Sequence, residues 1–308
     1  MPAKTEVPNA VIGGTGFSDR VSDFKVVETD YGPIKIGEME LGGKRVKFVA
    51  RHKGLEVPHL VNYKGIMQAL KLSDVDTVLA VSACGRLGLT VWPGHLVAVS
   101  GVDWDDTRRD MTFADTAGLL LHASMNEPFS PKLRQLMDES WLTVKPKIEH
   151  IYKGSPDLEV GFHADGTYFN IQGPAFTTPE REERLRRTVS NAKVIGQTLV
   201  PEVHLAREMG MAYAAVGMCV DHSNFPGGKP VTHADGVMHA VNKTAEAAVA
   251  LLDETVKRMP EDFFEEIAHT AFDHSFHSGQ ADFKLLRENG RTNLALILEN
   301  VLTGRSAK

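Results

Sequence analysis

Residues 10–18 read AVIGGTGFS, an apolar run that stops at two glycines, a threonine and a third glycine. A short apolar run closed by glycine is typical of a buried strand that ends in a tight turn. Such a loop exposes backbone N–H groups that can cradle an anion. The anion could belong to a dinucleotide, to a nucleotide phosphate or to free phosphate.

Two well-known phosphate loops do not match this stretch. A dinucleotide-binding loop needs G-x-G-x-x-G, and Asp19 stands where the third glycine is required. The Gly-Lys-Ser/Thr end of a P-loop is also missing. A single phosphate held by Gly14 and Thr15 remains as an interpretation, although the loop alone favours an ordinary tight turn.

The composition predicts an ordinary globular protein. The chain has 308 residues, 42% apolar and 24% charged, which gives no reason to propose disorder. Its net charge of −6 argues against binding to nucleic acid or to an anionic membrane. Cys84 and Cys219 lie in apolar contexts, so we expect buried thiols in a cytoplasmic protein. No signal peptide or membrane-spanning stretch is visible.

Strand-like and helix-like segments alternate along the chain. Gly42-Gly43 predicts a hairpin, Pro131 opens one helix, and Thr178 with Pro179 begins another. The segment GHLVAVSGVDWDD at 94–106 predicts one further buried strand.

This alternation predicts an α/β fold with a central mixed, largely parallel sheet flanked by helices. We expect a single domain over 1–308, with residues 1–9 flexible and 260–308 forming a C-terminal helical extension.

Polar side chains follow several predicted strands, where ligands bind in this fold class. Arg51 offers a planar fork of donors for an oxyanion, and His52 can add another donor. Ser82 lies at the end of a buried strand, and Thr198 precedes a helix whose N–H groups suit an anion. Each residue alone is weak evidence, but one shared oxyanion explains all of them better.

Two other residues indicate a flat, polar ligand. Phe176 follows the rigid Gly173-Pro174 turn and could present its ring to a heterocycle, although core packing is the usual fate of a Phe. Asp221 ends an apolar strand, where an unpaired charge is costly. A purine N7 or exocyclic amine is one candidate partner, and a structural cap is the alternative.

The order of these segments resembles the methylthioadenosine phosphorylase and purine nucleoside phosphorylase family. The segments are VIGGTGF, RHKG, PHLVNY, VSACG, HASMNEPFSP, QGPAFTT, TLVPEVHLARE and CVD, and they run from residue 10 to about residue 255. The resemblance implies a homotrimer, with a hexamer as the alternative. It also implies a pentosyltransferase that cleaves purine nucleosides with inorganic phosphate as co-substrate, without metal or organic cofactor.

The resemblance also implies a set of site residues. Phosphate contacts fall on Gly14, Thr15, Arg51, His52, Ser82, Ala83 and Thr198. Ribose and base contacts fall on Ala83, Phe176, Ile195, Gln197 and Asp221, and His122 is expected to reach the 5′ end of the sugar from a neighbouring subunit. Asp221 and Thr198 are the catalytic candidates, with Asp221 supporting departure of the purine.

The chain departs from the methylthioadenosine pattern on the side of the base and the 5′ group. Ser223 replaces a second aspartate, Gln197 a methionine and Ala175 an arginine, while His233 stands where an apolar residue is usual. The resemblance as a whole still predicts a methylthioadenosine phosphorylase-like enzyme. A 6-oxopurine or 5′-hydroxy nucleoside substrate remains the alternative, with Ser223 and His233 as substrate contacts.

Two further interpretations stay open at this point. A protein that binds nucleoside or phosphate without catalysis would fit the altered base side, whereas the broken dinucleotide loop argues against an oxidoreductase. His269, His274 and His277 lie near Asp273, but their spacing fits zinc patterns only loosely. We therefore predict a polar C-terminal segment there and no metal site.

Overall fold

The computed structural model describes residues 9–14, 17, 21–52, 56–105, 108–227, 234–273 and 279–303, with the backbone alone at residues 22, 234, 235 and 269. Within these ranges the strands are β1 Asn9–Gly13, β2 Ser22–Val27, β3 Ile34–Leu41, β4 Lys44–Ala50, β5 Thr77–Arg86, β6 Leu96–Ala98, β7 Gly101–Trp104, β8 Leu119–Leu121, β9 Phe162–His163, β10 Thr167–Asn170, β11 Ala192–Gly196, β12 Ala212–Asp221 and β13 Gly279–Ala281. The helices are α1 Tyr63–Leu72, α2 Pro131–Ile151, α3 Pro179–Thr188, α4 Leu199–Glu208, α5 Ala234–Arg258, α6 Glu266–His269, α7 Phe283–Glu288 and α8 Thr292–Leu302.

One large sheet forms the centre of the fold. Its strands follow the order β2-β3-β4-β1-β5-β11-β10-β7, and β12 pairs with both β5 and β6. The pairs β1–β4, β1–β5, β5–β12, β7–β10, β10–β11 and β6–β9 are parallel. The pairs β2–β3, β3–β4, β5–β11 and β6–β12 are antiparallel. The predicted mixed, largely parallel sheet is therefore confirmed.

Helices cover both faces of this sheet because alternate strand residues point to opposite sides. Ala10 and Ile12 of β1 join a core shared with α1, α4 and α8. Val11, between them, joins a second core shared with α2 and α5. Each fully buried aliphatic side chain stabilises the fold by about 1.5–3 kcal/mol relative to exposure.

The local sequence signals place most of the elements correctly. Gly42 and Gly43 both have positive φ and join β3 to β4, as the hairpin prediction requires. Ser130 accepts the N–H of Leu133 and caps α2. Thr178 accepts the N–H of Arg181 and caps α3.

The prediction of one strand over 94–106 is wrong. The structure has two short strands there, β6 and β7, separated by Val99 and Ser100. The chain changes partners at this point, because β6 runs antiparallel to β12 while β7 runs parallel to β10. Apolar content alone cannot reveal a change of pairing partner.

The segment after residue 260 packs against the rest of the fold. Strand β13 pairs antiparallel with β8, and α8 contacts α1. No helix in the described part of the chain is long and apolar enough to cross a membrane.

Candidate active site

The main sheet opens beside the carboxyl half of β5. On one edge β5 pairs with β1 as far as Ala80, and it pairs with β11 at Gly85 and Arg86. Ala83 lies in the gap and is exposed, although it belongs to a strand that is otherwise mostly buried. A crevice between diverging strands is where ligands bind in sheets of this kind.

The parallel strands around this opening bring the predicted residues together. Strands β4, β1, β5 and β12 all point the same way, so their carboxyl ends meet at one edge of the sheet. Gly14, Arg51 and Asp221 stand at three of these ends. Strand β11 runs the opposite way along β5 and thereby places Thr198 beside Ser82.

A cluster of three hydroxyl groups lies beside the opening. Ser82 Oγ is 3.0 Å from Thr198 Oγ1 and 3.2 Å from the hydroxyl of Tyr168. Burial raises the pKa of Tyr168 to about 12, so the phenol is neutral and can donate its hydrogen. With that hydrogen directed at Ser82 and the Ser82 hydrogen at Thr198, the Thr198 hydroxyl hydrogen is left for an anion.

Tyr168 was not among the predicted site residues. It is fully buried on β10, and the N–H of Thr198 donates to its hydroxyl at 3.1 Å. A Cβ at Gly196 would lie 2.2 Å from the same hydroxyl, so only glycine leaves room for it. The sequence signal was this glycine, which ends a strand just before Thr198.

The backbone at the start of α4 differs from the prediction. We expected free N–H groups there, but the N–H of Thr198 donates to Tyr168 and that of Val200 donates to Asn170 Oδ1 at 3.2 Å. The side chains around α4, rather than these two amides, are therefore available to an anion.

Arg51 is buried and held by a carboxylate that sequence reasoning missed. Its Nε and one Nη donate to the two oxygens of Glu202, and the other Nη donates to the carbonyl of Val81 at 2.8 Å. Tyr213 also donates to Glu202, at 2.7 Å. Among the described contacts, three of the five guanidinium N–H donors are used, which leaves two for a ligand.

His52 lies next to the glycine loop. Its ring is 3.8 Å from the position of a Cβ on Gly14. Nδ1 lies 3.0 Å from the carbonyl oxygen of Glu56, which can only accept, so Nδ1 carries the hydrogen. Burial and the neighbouring Arg51 lower the pKa of His52. The neutral ring therefore offers Nε2 as an acceptor and not as the predicted donor, and an acceptor suits the P–OH group of protonated phosphate.

Asp221 ends β12 beside Gly85, three residues further along β5 than Ser82. Its Oδ1 accepts the N–H of Ser223 at 2.6 Å. Burial raises the pKa of Asp221, the Ser223 hydrogen bond opposes that rise, and the charge of Glu182 adds to it. The carboxyl group is therefore easier to protonate than an ordinary aspartate, as proton donation requires.

The loop after Asp221 is anchored at two points that the sequence did not reveal. Glu182 of α3 is fully buried and accepts hydrogen bonds from Ser223 and Asn224. Arg86 lies between two aromatic rings, 3.7 Å from the centre of Trp92 and 3.5 Å from that of Phe225. These contacts fix the loop that carries the polar groups on the Asp221 side.

The Gly-Pro loop borders an open cleft of about 500 Å³, lined by residues that include Asp105, Gly173 and Phe176. Phe176 is 87% exposed, so its ring is free to meet a ligand or another subunit. Gln197 lies against Gly173, whose Cβ position would be 2.1 Å from Gln197 Oε1. The Ile195 side chain instead packs in a core cluster beneath the site, and its contact with a substrate stays a prediction.

The remaining predicted residues either follow another sheet or lie outside the described residues. His122 follows β8, which belongs to a separate two-stranded sheet with β13. Thr15, His233, His274 and His277 lie outside the described residues, as does the side chain of His269. Within the described residues, no group of three or more His, Cys, Asp or Glu could hold a metal ion.

Comparisons with known proteins agree with this geometry. The family model of the phosphorylase superfamily matches residues 8–257. An S-methyl-5′-thioadenosine phosphorylase of Hyperthermus butylicus is 36% identical over 82% of this chain and 88% of its own length. A probable 6-oxopurine nucleoside phosphorylase of Dictyoglomus turgidum is 31% identical over 82% of this chain and 92% of its own length.

Solved structures show the same fold. A methylthioadenosine phosphorylase from an antarctic soil metagenomic library superposes with a TM-score of 0.79 at 27% identity, covering 96% of this chain and all of its own. The Schistosoma mansoni methylthioadenosine phosphorylase bound to tubercidin has a TM-score of 0.73 at 26% identity, covering 86% of this chain and 96% of its own. The chain belongs to the phosphorylase superfamily. Its enzyme class is a pentosyltransferase of the purine nucleoside phosphorylase type.

Proposed function

We propose that this enzyme cleaves 5′-methylthioadenosine with inorganic phosphate, releasing adenine and 5-methylthioribose 1-phosphate. The observation that carries the proposal is the arrangement along β5. Anion-binding side chains gather at Ser82, and the carboxyl group of Asp221 lies at Gly85, three residues further along. Ser82 and Gly85 are about 10 Å apart along the strand backbone, and we place the sugar between these two positions.

The arrangement supports a direct displacement at the sugar. Phosphate held by Arg51, Ser82 and Thr198 would sit on the face of the anomeric carbon opposite the base. As the C–N bond breaks, its electron pair moves to the purine and a phosphate oxygen bonds to carbon. Asp221 donates a hydrogen to the departing base, and such transfer is typically worth ~10²–10⁴-fold in rate. Positioning of phosphate adds a proximity effect.

We further infer that phosphate is the co-substrate and that the reaction needs no metal or organic cofactor. The residue types at the opening support this, because hydroxyls, a guanidinium and one carboxyl group suffice for anion binding and proton donation. We also propose one domain over 1–308, supported by the packing of β13 and α8 onto the preceding fold. We propose a cytoplasmic location, which the buried free thiols of Cys84 and Cys219 support.

A test follows from the co-substrate. Purified protein incubated with 5′-methylthioadenosine should release free adenine only when phosphate is present, as measured by chromatography. Arg51→Ala, which removes the guanidinium from the anion side, should abolish the phosphate-dependent release of adenine. Binding of the nucleoside without release of base would instead support a non-catalytic binding protein.

A second candidate is a 6-oxopurine or 5′-hydroxy nucleoside phosphorylase. It is favoured by the likeness to the probable 6-oxopurine nucleoside phosphorylase of Dictyoglomus turgidum. Turnover of inosine or guanosine, without turnover of 5′-methylthioadenosine, would select this candidate.

A further inference from the structure

The hydroxyl of Ser223 has a fixed partner in the fold. Its Oγ lies 2.5 Å from Glu182 Oε1, while its N–H donates to Asp221 Oδ1 at 2.6 Å. A Cβ at Gly85 would lie 3.1 Å from Asp221 Oδ1 and 3.2 Å from Ser223 Oγ. The two oxygens therefore flank the same position of β5, at the opening where we place the base.

The Glu182 carboxylate accepts several hydrogen bonds. It is fully buried and receives the hydroxyl of Thr177, the hydroxyl of Ser223, and both the backbone N–H and the side-chain amide of Asn224, each of the last two at 3.0 Å. Arg186 lies 3.7 Å away as a cationic neighbour. A carboxylate has about four acceptor sites, so these donors fill it.

The Ser223 hydroxyl can therefore act only as an acceptor towards groups other than Glu182. A serine hydroxyl has a single hydrogen, and here that hydrogen points to Glu182. Towards any other group Ser223 can present only lone pairs. An oxygen in this state accepts from an amino group and has nothing to donate to a carbonyl oxygen.

We propose that Ser223, polarised by Glu182, accepts a hydrogen bond from the 6-amino group of the purine and thereby selects 6-aminopurine over 6-oxopurine substrates, an inference that rests on the proposed phosphorolysis. Ser223 touches the base, and Glu182 is a positioning residue that acts through it. The serine thus supplies the acceptor for which a carboxylate was expected at this position.

The experiment compares 5′-methylthioadenosine with 5′-methylthioinosine, which differ only in the amino and oxo groups. In the wild-type enzyme, kcat/KM should favour the amino substrate at least about tenfold, the scale of one well-placed hydrogen bond. Ser223→Ala removes the acceptor and should reduce that ratio about tenfold. Glu182→Gln lets the hydroxyl turn and should reduce the ratio in the same direction.

Glu183→Gln is the matched control. Glu183 neighbours Glu182 on α3 but is 44% exposed at its side chain and pairs with Arg186 and Arg187. Its substitution should leave the amino-to-oxo ratio unchanged. Thermal unfolding of each variant shows whether it is folded, and Ser223→Ala keeps the proposal testable if Glu182→Gln is unstable.

A binding measurement separates this proposal from the proposed function. Calorimetric titration in phosphate buffer should show tighter binding of adenine than of hypoxanthine, with the difference lost in Ser223→Ala. A wild-type preference for the oxo base, or a ratio that neither substitution moves, would overturn the role of Ser223 and leave phosphorolysis standing. If neither nucleoside releases its base, the proposed function fails, and the two base affinities still decide on Ser223.

Discussion

At the scale of single residues, the environment of Asp221 suits its proposed role as a proton donor. It ends β12 at the sheet opening, where burial and the nearby Glu182 raise the pKa of its carboxyl group. A group whose pKa is raised keeps its proton to higher pH, and the protonated form is the one that can donate to a leaving purine. The same burial that makes the charged form costly therefore favours catalysis.

The raised pKa of Asp221 predicts how the rate of the reaction depends on pH. For the wild-type enzyme, kcat at saturating phosphate should fall as pH rises through the raised pKa of Asp221, because the donating proton is lost. Asp221→Asn should lower kcat by ~10²–10⁴-fold and remove this fall, since an amide does not titrate. The check is a pH–rate profile of both proteins. An identical alkaline fall in the variant would assign that titration to another group.

At the scale of elements, the junction between β11 and α4 organises the anion side. Gly196 ends β11 against the hydroxyl of Tyr168, and that hydroxyl then orients Ser82 and Thr198. Gly196 therefore affects the site indirectly, because it leaves room for the Tyr168 side chain.

Substitution of this glycine should have two effects. In Gly196→Ala the new Cβ would lie 2.2 Å from the Tyr168 hydroxyl, so the ring must move. We expect a loss of about 1–3 kcal/mol in the free energy of unfolding, measured with denaturant, and a higher KM for phosphate. Gly101→Ala is the control, because its Cβ would meet its nearest neighbour at 3.3 Å. Equal effects of both substitutions would contradict the role of the junction.

The other end of α4 carries a titratable group far from this chemistry. Glu208 is buried and accepts hydrogen bonds from the hydroxyl of Thr112 and, at 2.7 Å, from the N–H of Phe113. Burial raises the pKa of Glu208 to about 7, and these hydrogen bonds only partly oppose the rise. Its stabilising contribution is full below the unfolded pKa near 4.5 and is lost as pH rises through about 7.

Glu208→Gln should therefore change the pH dependence of stability. The amide mimics the protonated acid and does not ionise, so the melting temperature of the variant relative to wild type should be higher at pH 8 than at pH 5. Thermal unfolding followed by circular dichroism at the two pH values gives the answer. A difference that is the same at both would show that Glu208 does not titrate in the folded protein.

At the scale of the whole molecule, the open cleft and the exposed Phe176 indicate that one chain leaves its site partly uncovered. His122 directly follows β8, a strand of the separate two-stranded sheet, so we propose that its expected contact with the sugar is made to the site of a second copy of the chain. These features support the proposal of a homotrimer.

The trimer can be measured directly. Sedimentation velocity should give three times the chain mass of 33.8 kDa over a range of dilutions. His122→Ala should raise KM for 5′-methylthioadenosine while leaving the sedimenting mass unchanged, because the residue contacts the substrate rather than holding the subunits. An active monomer with the wild-type KM would refute the shared site.

Local sequence signals determined a large part of this fold. Apolar runs closed by glycine, the Gly42-Gly43 turn, and the caps at Ser130 and Thr178 identify elements because each depends on a few neighbouring residues. The same reasoning placed Arg51, Thr198 and Asp221 at strand ends, but Ser82, predicted at a strand end, lies within β5 because that strand continues to Arg86. Parallel pairing brings Arg51 and Asp221 to one edge of the sheet, and the antiparallel β11 brings Thr198 to Ser82.

Only the tertiary structure decided which groups meet one another. Strand pairing split the segment 94–106 into two strands, and it opened the sheet beside Ala83. Glu202, Tyr168 and Glu182 orient Arg51, Ser82 and Ser223 from 41 to 151 residues away in sequence. The physical reason is that a buried polar group must find a partner, and the chain supplies that partner from whichever element the fold places nearby.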